Sequence, residues 1–139
     1  MANIIDMQVM RYINLFQKVT GIETRHCFQY NNQIIFAVPK TMLFKAIGKD
    51  GRNVKMVSSA FRKKIKIIPM AEGPEQLSKF IEDLVAPITF NGIEMSPNQL
   101  TLNAGRESKA ALIGRNRTRE KELAEILKGT FKIPKLKIA

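Results

Sequence analysis

Two glycines separated by two charged residues, Gly48 and Gly51, mark the stretch of this sequence best suited to binding chemistry. Glycine lacks a Cβ atom, so it can end a helix in a left-handed conformation and lets another backbone approach closely. Backbone N–H groups from Gly48 to Gly51 and at the start of the next helix are donors for phosphate oxygens, helped by the helix dipole. Lys49, Arg52 and Lys55 add positive charge. This pattern predicts a site for a phosphate backbone.

Three further residues complete the predicted site. Asp50 is negatively charged and would repel phosphate, so we interpret it as structural, the N-cap of the following helix. Ile47 and Val54 flank the loop and are apolar. They are predicted to line a groove for bases between the two helices and the adjacent strand. Thr41 is the predicted N-cap of the helix that leads into the loop.

The elements that must position this loop follow from hydrophobic periodicity. Ile5, Val9, Ile13 and Phe16 recur at helical spacing and predict a first helix. Two strands are predicted on either side of an Asn31-Asn32 turn, and the loop lies between two short helices. The predicted elements of residues 1–70 are a helix ending at Thr20, strands at 23–30 and 33–38, two helices around the loop, and a strand at 64–68. The order is α-β-β-α-α-β.

The same order recurs in residues 71–139, which indicates a tandem duplication. The second set comprises a helix around Leu84, strands at 88–94 and 98–103, a helix at 106–113, a second loop and helix, and a strand at 131–138. A constant offset of 66 residues, without a gap, aligns the two sets. The aligned pairs include Gly48 with Gly114, Val57 with Leu123, Ile65 with Phe131, and Ile67 with Ile133.

The second loop departs from the first at its fourth position. It reads Gly114, Arg115, Asn116 and Arg117, so an arginine replaces the second glycine. Its side chain would crowd the position of close approach, although its charge suits a phosphate contact. We expect this loop to bind differently from the first, more weakly, or not at all.

Charge is unevenly divided between the two parts. Residues 1–70 contain 12 Lys/Arg against 3 Asp/Glu, whereas residues 71–139 contain 11 against 9. The first part therefore has the stronger predicted attraction for a polyanion. Its basic cluster Arg62-Lys63-Lys64-Lys66 either extends this surface or protects a solvated strand edge.

Composition excludes several classes of function. A net charge of +11 over 139 residues favours nucleic acid as partner, with an acidic membrane surface second. No apolar run approaches the roughly 20 residues that span a bilayer, and the N-terminus lacks a signal-peptide pattern, so we expect a cytoplasmic protein. His26 and Cys27 are the only residues of their types. They provide too few ligands for metal or nucleophilic chemistry, so we predict no catalytic residue, metal, cofactor or small-molecule substrate.

A GxxG loop between two short helices is the arrangement with which KH domains clamp a nucleic-acid backbone. The order α-β-β-α-α-β, found twice, is that of type II KH domains, in which a mixed three-stranded sheet packs against helices. Two such domains with almost no linker resemble the KH portion of the NusA family, most of all its short archaeal members. The resemblance rests on IGKDGRNVK and ALIGRNRTREKE and covers essentially the whole chain.

This resemblance implies an α+β protein with one KH domain in residues 1–70 and another in residues 71–139. It implies binding of single-stranded RNA and regulation of transcription elongation, termination or antitermination, with RNA polymerase as the candidate protein partner. A KH protein of ribosome assembly or of the small ribosomal subunit is the alternative. The short joint between the domains and the absence of long basic tails favour the transcription factor.

Overall fold

The computed structural model describes residues 7–139. Ile5, which begins the periodic pattern of the first predicted helix, lies outside these residues. The described chain divides into two compact units, the first ending at Met70 and the second beginning at Ala71. None of the helices within residues 7–139 is both long enough and apolar enough to cross a membrane.

The first unit has the element order that hydrophobic periodicity predicts. Its helices and strands are α1 (Met7–Thr20), β1 (His26–Tyr30), β2 (Gln33–Val38), α2 (Leu43–Ile47), α3 (Arg52–Phe61) and β3 (Lys64–Pro69). Single turns of 3-10 helix at Lys40–Met42 and Lys49–Gly51 precede α2 and α3. Thr41 lies inside the first of these turns, and Met42 occupies the N-cap position of α2 without a side-chain bond. The prediction of Thr41 as N-cap is wrong because Pro39, with its φ fixed at −54°, starts the turn earlier.

The sheet of the first unit is mixed and packs one face against the helices. β2 lies in the centre, antiparallel to β1 and parallel to β3. Because side chains alternate along a strand, Ile34, Phe36 and Val38 all point into the same core. There the ring of Phe36 stacks on Phe16 of α1, with centroids 4.3 Å apart. Ala46 of α2 and Val57 of α3 belong to the same core, which fixes the helices that flank the loop to the sheet.

The second unit repeats this arrangement. Its elements are α4 (Leu77–Val85), β4 (Gly92–Ser96), β5 (Gln99–Asn103), α5 (Arg106–Ile113), α6 (Thr118–Phe131) and β6 (Lys135–Ile138). β5 is central, antiparallel to β4 and parallel to β6. A 3-10 turn at Arg115–Arg117 precedes α6, as the turn at Lys49–Gly51 precedes α3. The described chain is therefore an α+β structure with two mixed three-stranded sheets.

The offset of 66 residues between the repeats does not extend to the last strands. In the parallel pairs, Ile65 is opposite Ile34 and Leu136 is opposite Leu100. The counterpart of Ile65 is thus Leu136, and the predicted pairings of Ile65 with Phe131 and of Ile67 with Ile133 are wrong. The reason is the length of α6, which has 14 residues where α3 has 10. Phe131 continues its apolar face, so the predicted strand at 131–138 begins only at Lys135.

The predicted strand at 88–94 is also displaced. Ser96 is paired with Gln99, so only two residues connect β4 to β5. This tight connection places β4 directly opposite residues 99–103, and the strand must then occupy Gly92–Ser96. The apolar residues Ile88 and Phe90 produced the wrong boundary, because they mimic strand alternation in the segment before β4.

Candidate nucleic-acid interface

The first loop has an unusual backbone, with positive φ angles at three of its four residues. Gly48 ends α2 at φ 79° and ψ 166°, and Asp50 and Gly51 then both take left-handed conformations, with φ of 56° and 73°. The N–H of Gly48 donates to the carbonyl of Phe44 at 2.9 Å, and the N–H of Gly51 donates to the carbonyl of Gly48 at 3.1 Å. Two of the four predicted phosphate donors are therefore used within the protein. The other two N–H groups, those of Lys49 and Asp50, have no hydrogen-bond partner among the described residues. They therefore remain available to a ligand.

The second loop follows the same backbone path. Gly114 has φ 74° and ψ 173°, Asn116 has φ 57° and ψ 27°, and Arg117 has φ 59° and ψ 24°. The internal bonds recur as well, from the N–H of Gly114 to Ala110 at 3.0 Å and from the N–H of Arg117 to Gly114 at 3.2 Å. Replacing the second glycine by arginine has thus left the conformation of the loop unchanged.

The backbone angles explain why the first position of each loop is glycine and the fourth is not restricted. The angles of Gly48 and Gly114 lie in a region that is essentially open to glycine alone. A Cβ atom on Gly48 would also lie 3.0 Å from the side chain of Asn53, and one on Gly114 3.0 Å from the side chain of Arg119. At Gly51 a Cβ atom would meet nothing within 4 Å. The left-handed conformation there costs other residues only about 1–2 kcal/mol.

Each loop is held by a side chain that sequence reasoning missed. The Nδ2 of Asn53 donates to the carbonyl of Lys45 at 3.1 Å, which ties α3 to α2 across the loop. In the second unit the Nη1 of Arg119 donates to the carbonyl of Ala111 at the same distance. Both pairs are related by the offset of 66 residues, which was the one signal in the sequence that could have identified them.

The charged residues of the two predicted sites lie at the surface. Lys49, Arg52 and Lys55 are exposed, as are Arg115 and Arg117. Asp50 is exposed too, but it does not cap α3, since the N-cap residue is Gly51 and no side-chain cap bond forms. The prediction of Asp50 as N-cap is wrong because its left-handed conformation puts it inside the turn before the helix. Asn116 takes its place in the second loop, without the negative charge.

A groove of about 490 Å³ lies between the edge strand β3 and α3, the helix that follows the first loop. Val54 and Lys55 belong to its lining, and Ile47 does not. Ile47 and Val54 are both partly buried and pack against the core. The other lining residues are Gln33, Ser58, Ser59, Lys64, Ile65 and Lys66. The strand side of the groove thus includes two lysines of the basic cluster at 62–66.

Within residues 7–139, no three or more His, Cys, Asp or Glu side chains come together in a group that could hold a metal ion. His26 and Cys27 open β1, a half-buried edge strand. Burial, and secondarily the positive charge of Arg25, lower the pKa of His26 below its usual value. His26 is therefore neutral near pH 7 and contributes nothing to the positive charge of the unit.

Replacing Arg117 by glycine is expected to raise the free energy of unfolding of the second unit by about 0.5–1 kcal/mol. The substitution removes the cost of a left-handed arginine. It loses only an exposed ion pair with Glu120 at 3.5 Å, and such pairs contribute little. The check is urea denaturation of the variant beside Gly51→Arg, the reverse exchange, for which we expect a loss of similar size. Destabilisation by Arg117→Gly would show that contacts of the arginine outweigh its backbone strain.

Comparisons with known proteins show sequence similarity between this chain and three archaeal proteins that share one name. No protein-family model matches it. A protein from Methanococcus vannielii named "Probable transcription termination protein NusA" is 38% identical over 85 residues, covering 61% of this chain and 47% of the relative. The chain thus spans about half the length of that relative. Proteins of the same name are 27% identical in Halococcus morrhuae, with 77% of both chains covered, and 28% identical in Methanocaldococcus jannaschii, with 91% of this chain and 69% of the relative covered.

A solved structure supports the fold alone. The crystal structure of a protein named APE1850 matches with a TM-score of 0.67 and 24% identity, over 97% of this chain and all of that one. Together with the sequence matches to three archaeal proteins, this likeness extends over both units. By sequence, this chain is similar to three archaeal proteins that are named probable transcription termination protein NusA.

Proposed function

We propose that residues 1–70 and 71–139 are two type II KH domains, and that they bind single-stranded RNA as part of a NusA-like regulator of transcription elongation, termination or antitermination. The observation that carries this proposal is the repeated loop. Two copies of one unusual backbone, each between two helices, suit a repeated ligand such as an RNA backbone. In each copy the N–H groups of the second and third residues donate to no backbone carbonyl, those of Lys49 and Asp50 in the first loop and of Arg115 and Asn116 in the second. The names of the three archaeal relatives support the role in transcription.

In this proposal each loop binds phosphate oxygens, and in the first unit bases occupy the groove between α3 and β3. The unpartnered N–H groups of Lys49 and Asp50 donate hydrogen bonds to a phosphate, and the dipole at the N-terminus of α3 adds to the attraction. Exposed Lys49, Arg52 and Lys55 attract the backbone. Val54 contributes an apolar wall to the groove, which would hold part of the about four nucleotides that a KH domain accommodates.

The proposed RNA-binding residues fall into two sets that differ in charge. They are Ile47, Gly48, Lys49, Asp50, Gly51, Arg52, Val54 and Lys55 in the first unit, and Gly114, Arg115, Asn116 and Arg117 in the second. Ile47 acts indirectly in this scheme, because it packs against the core and does not line the groove. The second loop has arginine side chains where the first has a lysine and a glycine, so it would hold phosphate more through side chains.

The strength of binding is expected to depend steeply on salt. If three to five phosphates are neutralised, a plot of log affinity against log salt for single-stranded RNA should have a slope of about −2 to −4, at roughly −0.7 per contact. Fluorescence anisotropy with a labelled oligonucleotide at several salt concentrations measures this slope. A slope near zero would contradict the phosphate mechanism.

Two further experiments test whether the ligand is single-stranded RNA and whether the protein acts in transcription. Duplex RNA of the same sequence should bind less well, because the groove needs unstacked bases; equal affinity for both would count against a KH groove. Capture of RNA polymerase, rather than pre-ribosomal particles, by the tagged protein from cells tests the role in transcription. Enrichment of pre-ribosomal particles alone would assign the protein to ribosome assembly.

A further inference from the structure

One aromatic side chain is left outside the cores of the structure. Phe44 is 87% exposed, whereas the other seven phenylalanines of the chain are buried or half-buried. It lies in α2, on the side away from Ala46, which is completely buried in the core. Folding therefore leaves nearly the whole ring of Phe44 in water, where an apolar side chain contributes nothing to stability.

The position of Phe44 links it to the first loop. Its carbonyl accepts the N–H of Gly48 at 2.9 Å, so the ring is attached one helical turn, about 5.4 Å, before the loop begins. Lys40, Lys45 and Lys49 surround it in the sequence and are all exposed. An aromatic face among positive charges, next to a predicted phosphate site, is the combination used by surfaces that bind single-stranded nucleic acids.

We propose that Phe44 is a stacking platform for one base of single-stranded RNA, outside the groove and beside the nucleotide whose phosphate the first loop binds. This inference rests on the proposed function and extends its RNA track along α2. Stacking needs only the flat face of a base, so the site would accept any base and add affinity without sequence preference.

The charges around Phe44 favour RNA over a protein as the occupant. The centre of a protein–protein interface is usually depleted of charged residues, because their desolvation is costly. Here exposed lysines precede and follow the ring within a few residues, and a polyanion gains from each of them. The second loop has no such platform, because Ala110 stands where the first has Phe44, with its carbonyl bonded to Gly114 at 3.0 Å.

The test uses the absence of tryptophan from the chain. Phe44→Trp introduces a single tryptophan at the proposed platform, whose emission can be excited selectively at wavelengths that tyrosine does not absorb. Unlabelled single-stranded RNA of about ten nucleotides is expected to quench its emission along the same curve that anisotropy gives for binding. Phe44→Ala should weaken RNA binding about 5- to 100-fold, the usual effect of removing one stacked base contact. Phe44→Leu is the matched control, since it stays apolar but lacks the aromatic face, and it should lose nearly as much.

The possible results separate this inference from the proposed function. Wild-type affinity in Phe44→Ala would overturn the platform, whatever the fluorescence shows, while leaving the loop as an RNA site. If the emission of Phe44→Trp changes on addition of purified RNA polymerase but not of RNA, the platform would be overturned in favour of a protein contact. No RNA binding by the wild-type chain would refute the proposed function itself. Because the ring is 87% exposed, all three variants should melt at the wild-type temperature.

Discussion

Replacing Gly48 by alanine is expected to lower the free energy of unfolding of the first unit by about 2–4 kcal/mol. The residue sits at φ 79° and ψ 166°, a conformation that costs any other residue about 1–3 kcal/mol. The new Cβ atom would also press on Asn53 at 3.0 Å and disturb its hydrogen bond to Lys45, which contributes about 1 kcal/mol more. Urea denaturation, followed by circular dichroism, measures the loss.

Matched substitutions show whether the backbone region is the cause. Gly51→Ala places its Cβ atom in open space and should cost only about 0.5–1 kcal/mol, because the cost of the left-handed conformation is partly offset by the lower entropy of the unfolded chain. Gly114→Ala should destabilise the second unit as strongly as Gly48→Ala destabilises the first, because its angles and its contact with Arg119 are equivalent. Equal effects of Gly48→Ala and Gly51→Ala would contradict this explanation.

Replacing Gly51 by aspartate is expected to weaken single-stranded RNA binding by about 1–3 kcal/mol, the size of one or two charge-assisted hydrogen bonds. The substitution places a negative charge beside the proposed phosphate site. It should leave the unit folded, because the side chain enters open space and aspartate tolerates the left-handed conformation, as Asp50 already does. Affinity is measured by anisotropy, and thermal melting confirms folding.

Two variants isolate the effect of charge and of the loop. Gly51→Asn has the shape and the backbone cost of Gly51→Asp without its charge, so it should lose much less affinity. Arg117→Asp should also cost less than Gly51→Asp, since a side chain already occupies the position of close approach in the second loop. If Arg117→Asp is the more damaging while both proteins stay folded, the second loop is the main phosphate site and the RNA track must be drawn around it.

The order of elements could be predicted from sequence because it depends on local patterns. Apolar residues at helical spacing and the paired glycines are properties of neighbouring residues, and the structure has the same order in each unit. Element ends were less predictable because they depend on partners distant in sequence. The position of β4 is set by its pairing with β5, and the strand at 131–138 is shortened because Phe131 belongs to α6, where its ring packs against Phe80 at 5.1 Å.

The same distinction applies to the candidate site. The glycines and the exposed basic residues could be identified from their types and spacing alone. The bridging roles of Asn53 and Arg119 could not, because each bond joins residues eight positions apart across a loop whose conformation must be known first. Nor could the sequence distinguish the N–H groups used inside the loop from those left for a ligand. Asp50 was misassigned as an N-cap because its left-handed conformation, which places it inside the turn before α3, does not follow from its residue type.

The shared backbone conformation of the two loops has a consequence for how such sites are recognised and engineered. A search pattern that demands glycine at both ends would find one of these loops and pass over the other, although their backbones agree within a few degrees, apart from the φ of the fourth residue. A pattern that requires only the leading glycine, followed by residues tolerant of left-handed geometry, would find both. The fourth position is then a place where duplicated copies can diverge in ligand preference while the architecture beneath them stays intact.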